Sequence, residues 1–304
     1  MKKAVVTGAG GFIGGALTKL LLNKGITVYG VDISEEQLKR FFSYENFRPV
    51  IADFTKYDRL HEMIIDKDID VFYHFAWQGV YGEAFKDYRL QLSNATYAAD
   101  AITEAVKIGC KKFVFAGTYN EIEVADYIDM SGHSLRYTCI YSATKTAVEI
   151  ICKTIASNCN IEYSAGLTSM SYGENNRSMM LANVVMKQLV NGESPKLIEG
   201  NIPYDFVYID DIARAFYSIG DRGKNLKSYY IGHRKLKTFR EWLTEIGKIV
   251  NPDIALRFGV YPDDSNRNYE KIDLDALYND TGFECKADFK ESILKTAKWI
   301  KENL

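Results

Sequence analysis

The sequence has no surplus of one charge: 38 Lys and Arg oppose 40 Asp and Glu, a formal net charge of −2. That balance gives no electrostatic footprint for nucleic acid, and the one basic run, His233-Arg234-Lys235-Leu236-Lys237, reads as a solvated loop. Paired cysteines are missing too. Cys110, Cys139, Cys152, Cys159 and Cys285 show no C-x-x-C spacing, which fits reduced thiols in a cytoplasm, and no metal is expected. No apolar stretch reaches membrane-spanning length, so no membrane partner is expected. Met1-Lys2-Lys3 is basic, as the start of a signal peptide is, but an apolar h-region does not follow. Internal repeats and low-complexity linkers are absent.

Apolar residues are plentiful, 47% of 304, enough for one large α/β domain and a smaller lobe. The chain starts with an apolar run (Ala4, Val5, Val6), a glycine cluster, and residues at helical spacing from Phe12 to Leu22. This order of strand, loop and helix suits a dinucleotide. One glycine permits the turn, another lets backbone approach a pyrophosphate, and a third lets the helix pack on the strand. The helix N-terminus adds unpaired N–H groups and a partial positive charge. Ile13 stands where G-x-G-x-x-G needs glycine, so the spacing is G-x-x-G-x-x-G through Gly8, Gly11 and Gly14. A second strand, Thr27 to Asp32, ends in a carboxylate at the distance expected for a ribose 2′-OH.

Strand and helix then alternate regularly. A strand at Pro49–Ala52, a helix over Leu60–Ile65 and a strand at Asp70–Phe75 are followed by a long helix over Ala84–Ile108, a strand at Lys112–Ala116 and a helix over Cys139–Ile155. Such a pattern predicts a doubly wound parallel sheet, with function collected at the strand C-termini. These ends are Thr7, Asp32, Asp53, the Phe75-Ala76-Trp77 turn and Gly117-Thr118. On the Cys139–Ile155 helix, Tyr141 and Lys145 lie one turn apart on one face. A free tyrosine titrates near 10; a neighbouring ammonium and a cationic nicotinamide would lower that value and make Tyr141 an acid/base group. Thr118 could add a hydroxyl bond to the same substrate oxygen.

With these residues in place the chain resembles the extended short-chain dehydrogenase/reductases, the NAD-dependent epimerase/dehydratase group that remodels nucleotide-linked sugars. The resemblance rests on Thr7 to Gly14, Asp32, Ala52-Asp53-Phe54, His74-Phe75-Ala76, Thr118, Tyr141 with Lys145, and Tyr204 to Asp211. It implies a Rossmann-type fold and NAD held by Gly8, Gly11, Phe12, Ile13, Gly14, Asp32, Asp53, Phe54, Phe75, Ala76, Tyr141 and Lys145. Asp53 would face the adenine amino group and Lys145 the nicotinamide ribose. Tyr141 would exchange a proton with the sugar oxygen, and Asn94 would help shape the site. Residues 1–167, with 204–222 returning to them, would form the dinucleotide domain; 168–203 and 223–304 would form the substrate lobe. In that second part, helices are expected over Met179–Val190, Asp210–Ile219, Phe239–Ile249 and Phe289–Ile300, with a strand from Tyr204 to Tyr208 rejoining the first domain. Helices 84–108 and 139–155 resemble those that pair across a two-fold axis in this family, implying a homodimer.

Two departures bear on substrate. Relatives acting on UDP-sugars carry an asparagine where Met170 stands and an arginine where Tyr204 stands, both on the substrate diphosphate. Methionine donates no hydrogen bond and tyrosine only one. The expected substrate contacts are therefore Thr118, Ser169 and Tyr204, with Arg177 or Arg267 taking the phosphate role. Three functions follow: a 4-keto nucleotide-sugar reductase, favoured by the missing diphosphate ligands; a nucleotide-sugar 4-epimerase that retains NAD; and a non-catalytic NAD(H) sensor. Intact Thr118, Tyr141 and Lys145 argue against the sensor. A dehydratase would need an acid/base pair near Thr118, where only Glu121 is available.

Asp32 should accept from a ribose 2′-OH and repel a 2′-phosphate. Titration is expected to show NAD(H) binding more tightly than NADP(H); equal or reversed affinity would refute the assignment.

Overall fold

The structure, a computed structural model, describes residues 1–128, 132, 134–263 and 268–304. Seven strands, Lys3–Thr7 (β1), Thr27–Asp32 (β2), Phe47–Ile51 (β3), Val71–His74 (β4), Lys112–Thr118 (β5), Glu162–Thr168 (β6) and Lys227–Ile231 (β7), form one sheet in the order β7-β6-β5-β4-β1-β2-β3. Every pairing in it is parallel. The longer helices are Phe12–Asn23 (α1), Tyr88–Ile108 (α2), Cys139–Cys159 (α3), Leu181–Val190 (α4), Ile209–Arg222 (α5), Phe239–Val250 (α6) and Phe289–Asn303 (α7).

The runs read as buried strands are apolar on both faces because both are covered. Successive side chains of a strand point to opposite faces, and so Ala4 and Val6 pack with Leu17 and Leu21 of α1 and Phe216 of α5. Val5 packs the other way, with Ala98 and Ile102 of α2 and Val148 and Cys152 of α3. Strand order reverses between β1 and β4, which stay paired to Thr7 and His74, so the connections leaving their C-terminal ends run to opposite faces of the sheet and open a crevice beyond them.

A third cluster holds the smaller lobe together, drawing Met186 from α4, Trp242 and Leu243 from α6 and Ile293 from α7. Trp242 Nε1 also donates to Tyr204 O at 3.0 Å.

Three expectations change. The run from Tyr204 to Tyr208 breaks at Asp205 into two short strands that pair with Lys237–Thr238 and Met170–Tyr172 and leave the central sheet untouched. The strand that does join that sheet is β7, in the stretch assigned to the lobe. A turn at Leu226 (φ 61°), whose N–H donates to Tyr163 O at 2.7 Å, lays β7 beside β6. Ala276, Leu277 and Phe283 likewise pack into the main core rather than the lobe. Finally, the Leu60–Ile65 helix is a single turn, Leu60–Met63, following a 3₁₀ segment over Phe54–Arg59.

Candidate active site

The crevice at the strand ends widens into a cavity of about 510 Å³. Gly8, Gly11, Phe12, Ile13, Gly14 and Asp32 line it together with Phe75, Ala76, Thr118, Tyr141 and Lys145. Gly8 has φ +66°, the left-handed region that favours glycine, and a Cβ on Gly14 would fall 2.2 Å from Gly8 O. Only glycine at both positions lets α1 start against the end of β1. Gly11 caps α1 with no side-chain bond and the first turn carries no acid, so its N–H groups and dipole face the cavity uncompensated. Asp32 steadies this loop, accepting Gly10 N at 2.9 Å and Ser34 N at 3.1 Å. Arg40 Nη2 donates to Gly10 O at 3.0 Å and Gly11 O at 3.1 Å, which commits the arginine to the loop backbone. A pyrophosphate-bearing dinucleotide fits this cradle: bare backbone where phosphate would approach, and a carboxylate beside it.

Thr7 and His74 lock the switch point. Thr7 Oγ1 bonds His74 Nδ1 at 2.9 Å and accepts from Phe75 N at 3.2 Å and Ala76 N at 3.3 Å. His74 is fully enclosed. Burial, and then the Lys145 charge, push its pKa down to about 3.

Another part of the wall is built on α3. Lys145 Nζ donates to Ala116 O at 2.7 Å and lies 3.7 Å from the Trp77 ring centroid. Burial lowers its pKa, with Glu121 opposing. Trp77 is itself held, its Nε1 donating to Gln91 Oε1 at 3.0 Å. Asn94, the expected shaping residue, takes both backbone groups of Gln78: its Oδ1 accepts Gln78 N at 3.0 Å and its Nδ2 donates to Gln78 O at 2.8 Å. Tyr141 has a hydrogen bond with Thr118, yet burial foremost, and the Glu121 charge after it, raise its pKa. The lowering expected from the sequence requires a bound cationic nicotinamide as well as Lys145. Within the polypeptide, desolvation dominates, and Lys145 Nζ, 5.9 Å from the Tyr141 ring centroid, is directed to Ala116 O and Trp77.

Other expected residues divide. Phe54 and Ser169 line the cavity, Ser169 Oγ donating to Ile231 O at 3.2 Å. Asp53 is outside the lining and caps the following turn through Thr55 N at 3.0 Å. Arg177 is exposed and also outside it. Tyr204 is a core residue of the lobe, 2% exposed, its ring 5.1 Å from those of both Phe206 and Phe239. Arg267 lies outside the described residues. Sequence reasoning passed over Asn176, next to Arg177. It is 3% exposed and lines the cavity; its Oδ1 accepts from Ser178, while its Nδ2 is buried without a partner. It also passed over Arg136, a lining residue paired with the buried Glu123. No local motif marks either residue.

The depressed His74 pKa carries a pH signature. The unfolded chain binds a proton near pH 6.5 that the native state refuses down to about 3. Stability from this residue is therefore complete above pH 6.5 and is lost as pH falls, by about 1.4 kcal/mol per pH unit in that window. Urea midpoints from pH 7 to 4.5 should fall more steeply for the wild type than for His74→Asn; parallel curves would contradict the burial argument.

Comparison with known proteins agrees with this geometry. A model of the NAD dependent epimerase/dehydratase family matches residues 4–232. CDP-abequose synthase of Yersinia pseudotuberculosis is 25% identical over 97% of this chain and 99% of its own. dTDP-4-dehydro-6-deoxyglucose reductase of Escherichia coli is 23% identical over 98% and 97%. In fold, the chain is similar to the UDP-N-acetylglucosamine 4-epimerase of Methanobrevibacter ruminantium M1, solved with UDP-N-acetylmuramic acid, with a TM-score of 0.81, 21% identity, and 100% and 99% of the two chains covered. With its glycine cradle, its Tyr141 and Lys145 on one wall, and a family match over most of its length, this chain belongs to the NAD dependent epimerase/dehydratase family of enzymes.

Proposed function

We propose that this protein is an NAD(H)-dependent reductase of a 4-keto nucleotide sugar. The observation that carries the reading is placement: Tyr141, 8% exposed, lines one cavity with Thr118, Lys145 and the glycine loop, where its hydroxyl can give a proton to a carbonyl oxygen. Gly8, Gly11, Gly14 and the α1 N-terminus would hold the pyrophosphate, Asp32 the adenine ribose, and Lys145 the nicotinamide ribose. When bound, the cofactor supplies the hydride. Thr118 and Tyr141 orient the carbonyl oxygen by hydrogen bonds, and Tyr141 gives it a proton. Lys145 lies one helical turn away, its Nζ 5.9 Å from the Tyr141 ring centroid, and the Trp77 and Phe85 rings, 6.1 and 4.9 Å from that of Tyr141, keep water away. A homodimer is part of the proposal: on α3 the exposed residues Ile140, Ala143, Ala147, Ile150 and Ile151 follow helical spacing, and Leu92 of α2 is 58% exposed beside them. Sedimentation at micromolar concentration that gives only monomer would remove it.

The deciding experiment offers NADH with 4-keto nucleotide sugars to the purified protein and follows absorbance. Stoichiometric oxidation is expected. A protein that instead retains NAD through denaturation and interconverts C4 epimers is a 4-epimerase.

Tyr141→Phe should keep the ring packing and the cofactor affinity while turnover falls about 10²–10⁴-fold. More than about a tenth of wild-type turnover would exclude Tyr141 from proton transfer. For the substrate diphosphate, the unpaired Asn176 Nδ2 is the proposed donor in place of the exposed Arg177. Asn176→Asp should raise KM about ten- to a hundredfold with kcat little changed, since this contact is equal in ground and transition states. An unchanged KM would place the diphosphate elsewhere.

A further inference from the structure

Five of the eight residues from Gly8 to Gly15 are glycine. Gly8, Gly11 and Gly14 make the three-residue spacing of the cradle. Gly10 and Gly15 stand outside that spacing, and neither has a positive φ. Side chains from β2 and the segment after it account for both. A Cβ on Gly10 would fall 2.6 Å from Gln37 Cβ and 3.0 Å from Asp32 Oδ2, and a Cβ on Gly15 would fall 1.8 Å from Arg40 Nη2.

Arg40 reaches the loop from behind. It lines a separate groove of about 830 Å³ bordered by α1, α5 and α7, and it is absent from the lining of the catalytic cavity. Its stem and guanidinium lie by Phe41, 4.8 Å from the ring centroid, and Nη2 donates to Gly10 O at 3.0 Å and Gly11 O at 3.1 Å. Gly10 is thereby held at both ends, since its N–H is taken by Asp32 at 2.9 Å.

These bonds bear on the groups that would meet phosphate. In a trans peptide the C=O and N–H point in opposite directions. A guanidinium on Gly11 O therefore turns the N–H of Phe12, the other half of that peptide, away from Arg40. That N–H belongs to the first turn of α1, where a helix supplies no acceptor of its own, and Gly11 and Phe12 both line the cavity. A cation on the carbonyl also polarises the peptide and makes its N–H a stronger donor.

We infer that Arg40 is a positioning residue for the dinucleotide's pyrophosphate. Acting through the Gly10 and Gly11 carbonyls, it fixes the direction of the loop N–H groups and lends them positive charge without touching the phosphates. Gly15 is glycine so that the guanidinium can enter. The inference rests on the pyrophosphate lying at the glycine loop, as proposed above, and is the same for a reductase and an epimerase.

Binding tests it without turnover, by displacement of NADH fluorescence with ADP-ribose, which carries the pyrophosphate, and with adenosine, which does not. Arg40→Met keeps an unbranched stem beside Phe41; it should weaken ADP-ribose about three- to tenfold and leave adenosine unchanged. Arg40→Lys, which keeps the charge, should restore part of the loss, and the wild-type advantage should shrink as salt rises. Gly15→Ala inserts the better helix former into α1, yet it should reproduce the loss by displacing the guanidinium. Combined with Arg40→Met it should add nothing, because nothing is left to displace. An ADP-ribose affinity within about twofold of wild type in Arg40→Met, or equal losses for adenosine and ADP-ribose, would overturn the role of Arg40. Additive losses in the double variant would overturn the reason given for Gly15. Wild-type protein that binds ADP-ribose no better than adenosine would instead overturn the placement of the pyrophosphate at the loop.

Discussion

A buried lysine organises the part of the cavity wall built on α3. Lys145 is 4% exposed, and a cation so placed is tolerated only where its donors and charge are met. Ala116 O at the end of β5 takes one N–H, and the faces of Trp77 and Phe115 lie 3.7 and 4.6 Å away. To supply Trp77, the turn after β4 must be fixed, and α2 fixes it: Gln91 holds the indole N–H while its Nε2 donates to Gly79 O at 2.8 Å and Ala84 O at 2.9 Å. Gln91, buried on α2, thereby sets the surroundings of a lysine on α3.

The cavity is sparing with charge. Among its described lining residues Arg136 and Lys145 are the cations, and Arg136 is already paired with Glu123. What the glycine loop offers an anion is therefore backbone N–H groups and the α1 dipole, with no cationic side chain free beside them among the described lining residues. Low polarity has a second effect: with little solvent to stabilise ions, burial favours the neutral forms of Tyr141 and His74.

Legibility followed the range of the interaction. The strand, glycine loop and α1 could be read because Gly11 and Gly14 both close on Gly8 O, a contact within a few residues. Tyr141 and Lys145 could be read because four-residue spacing on a helix guarantees a shared face. Asn176 and Arg177 could not be told apart, since which of two neighbours in an irregular loop turns inward depends on Asn183, whose Nδ2 donates to Asn176 O at 2.7 Å and Ser178 O at 2.9 Å. Tyr204 resembled a ligand in the motif and is a core ring, because the chain there pairs with Lys237–Thr238.

By itself the sequence determined the alternating parallel fold, the dinucleotide cradle and the Tyr141 and Lys145 pair, since hydrophobic period, turn chemistry and helical spacing are local properties. Tertiary structure alone decided that β7 completes the sheet, that Trp77 covers Lys145, that Asn176 lines the cavity and that Tyr141 is buried there. Each of these depends on residues distant in sequence becoming neighbours, and on the desolvation that only their packing produces.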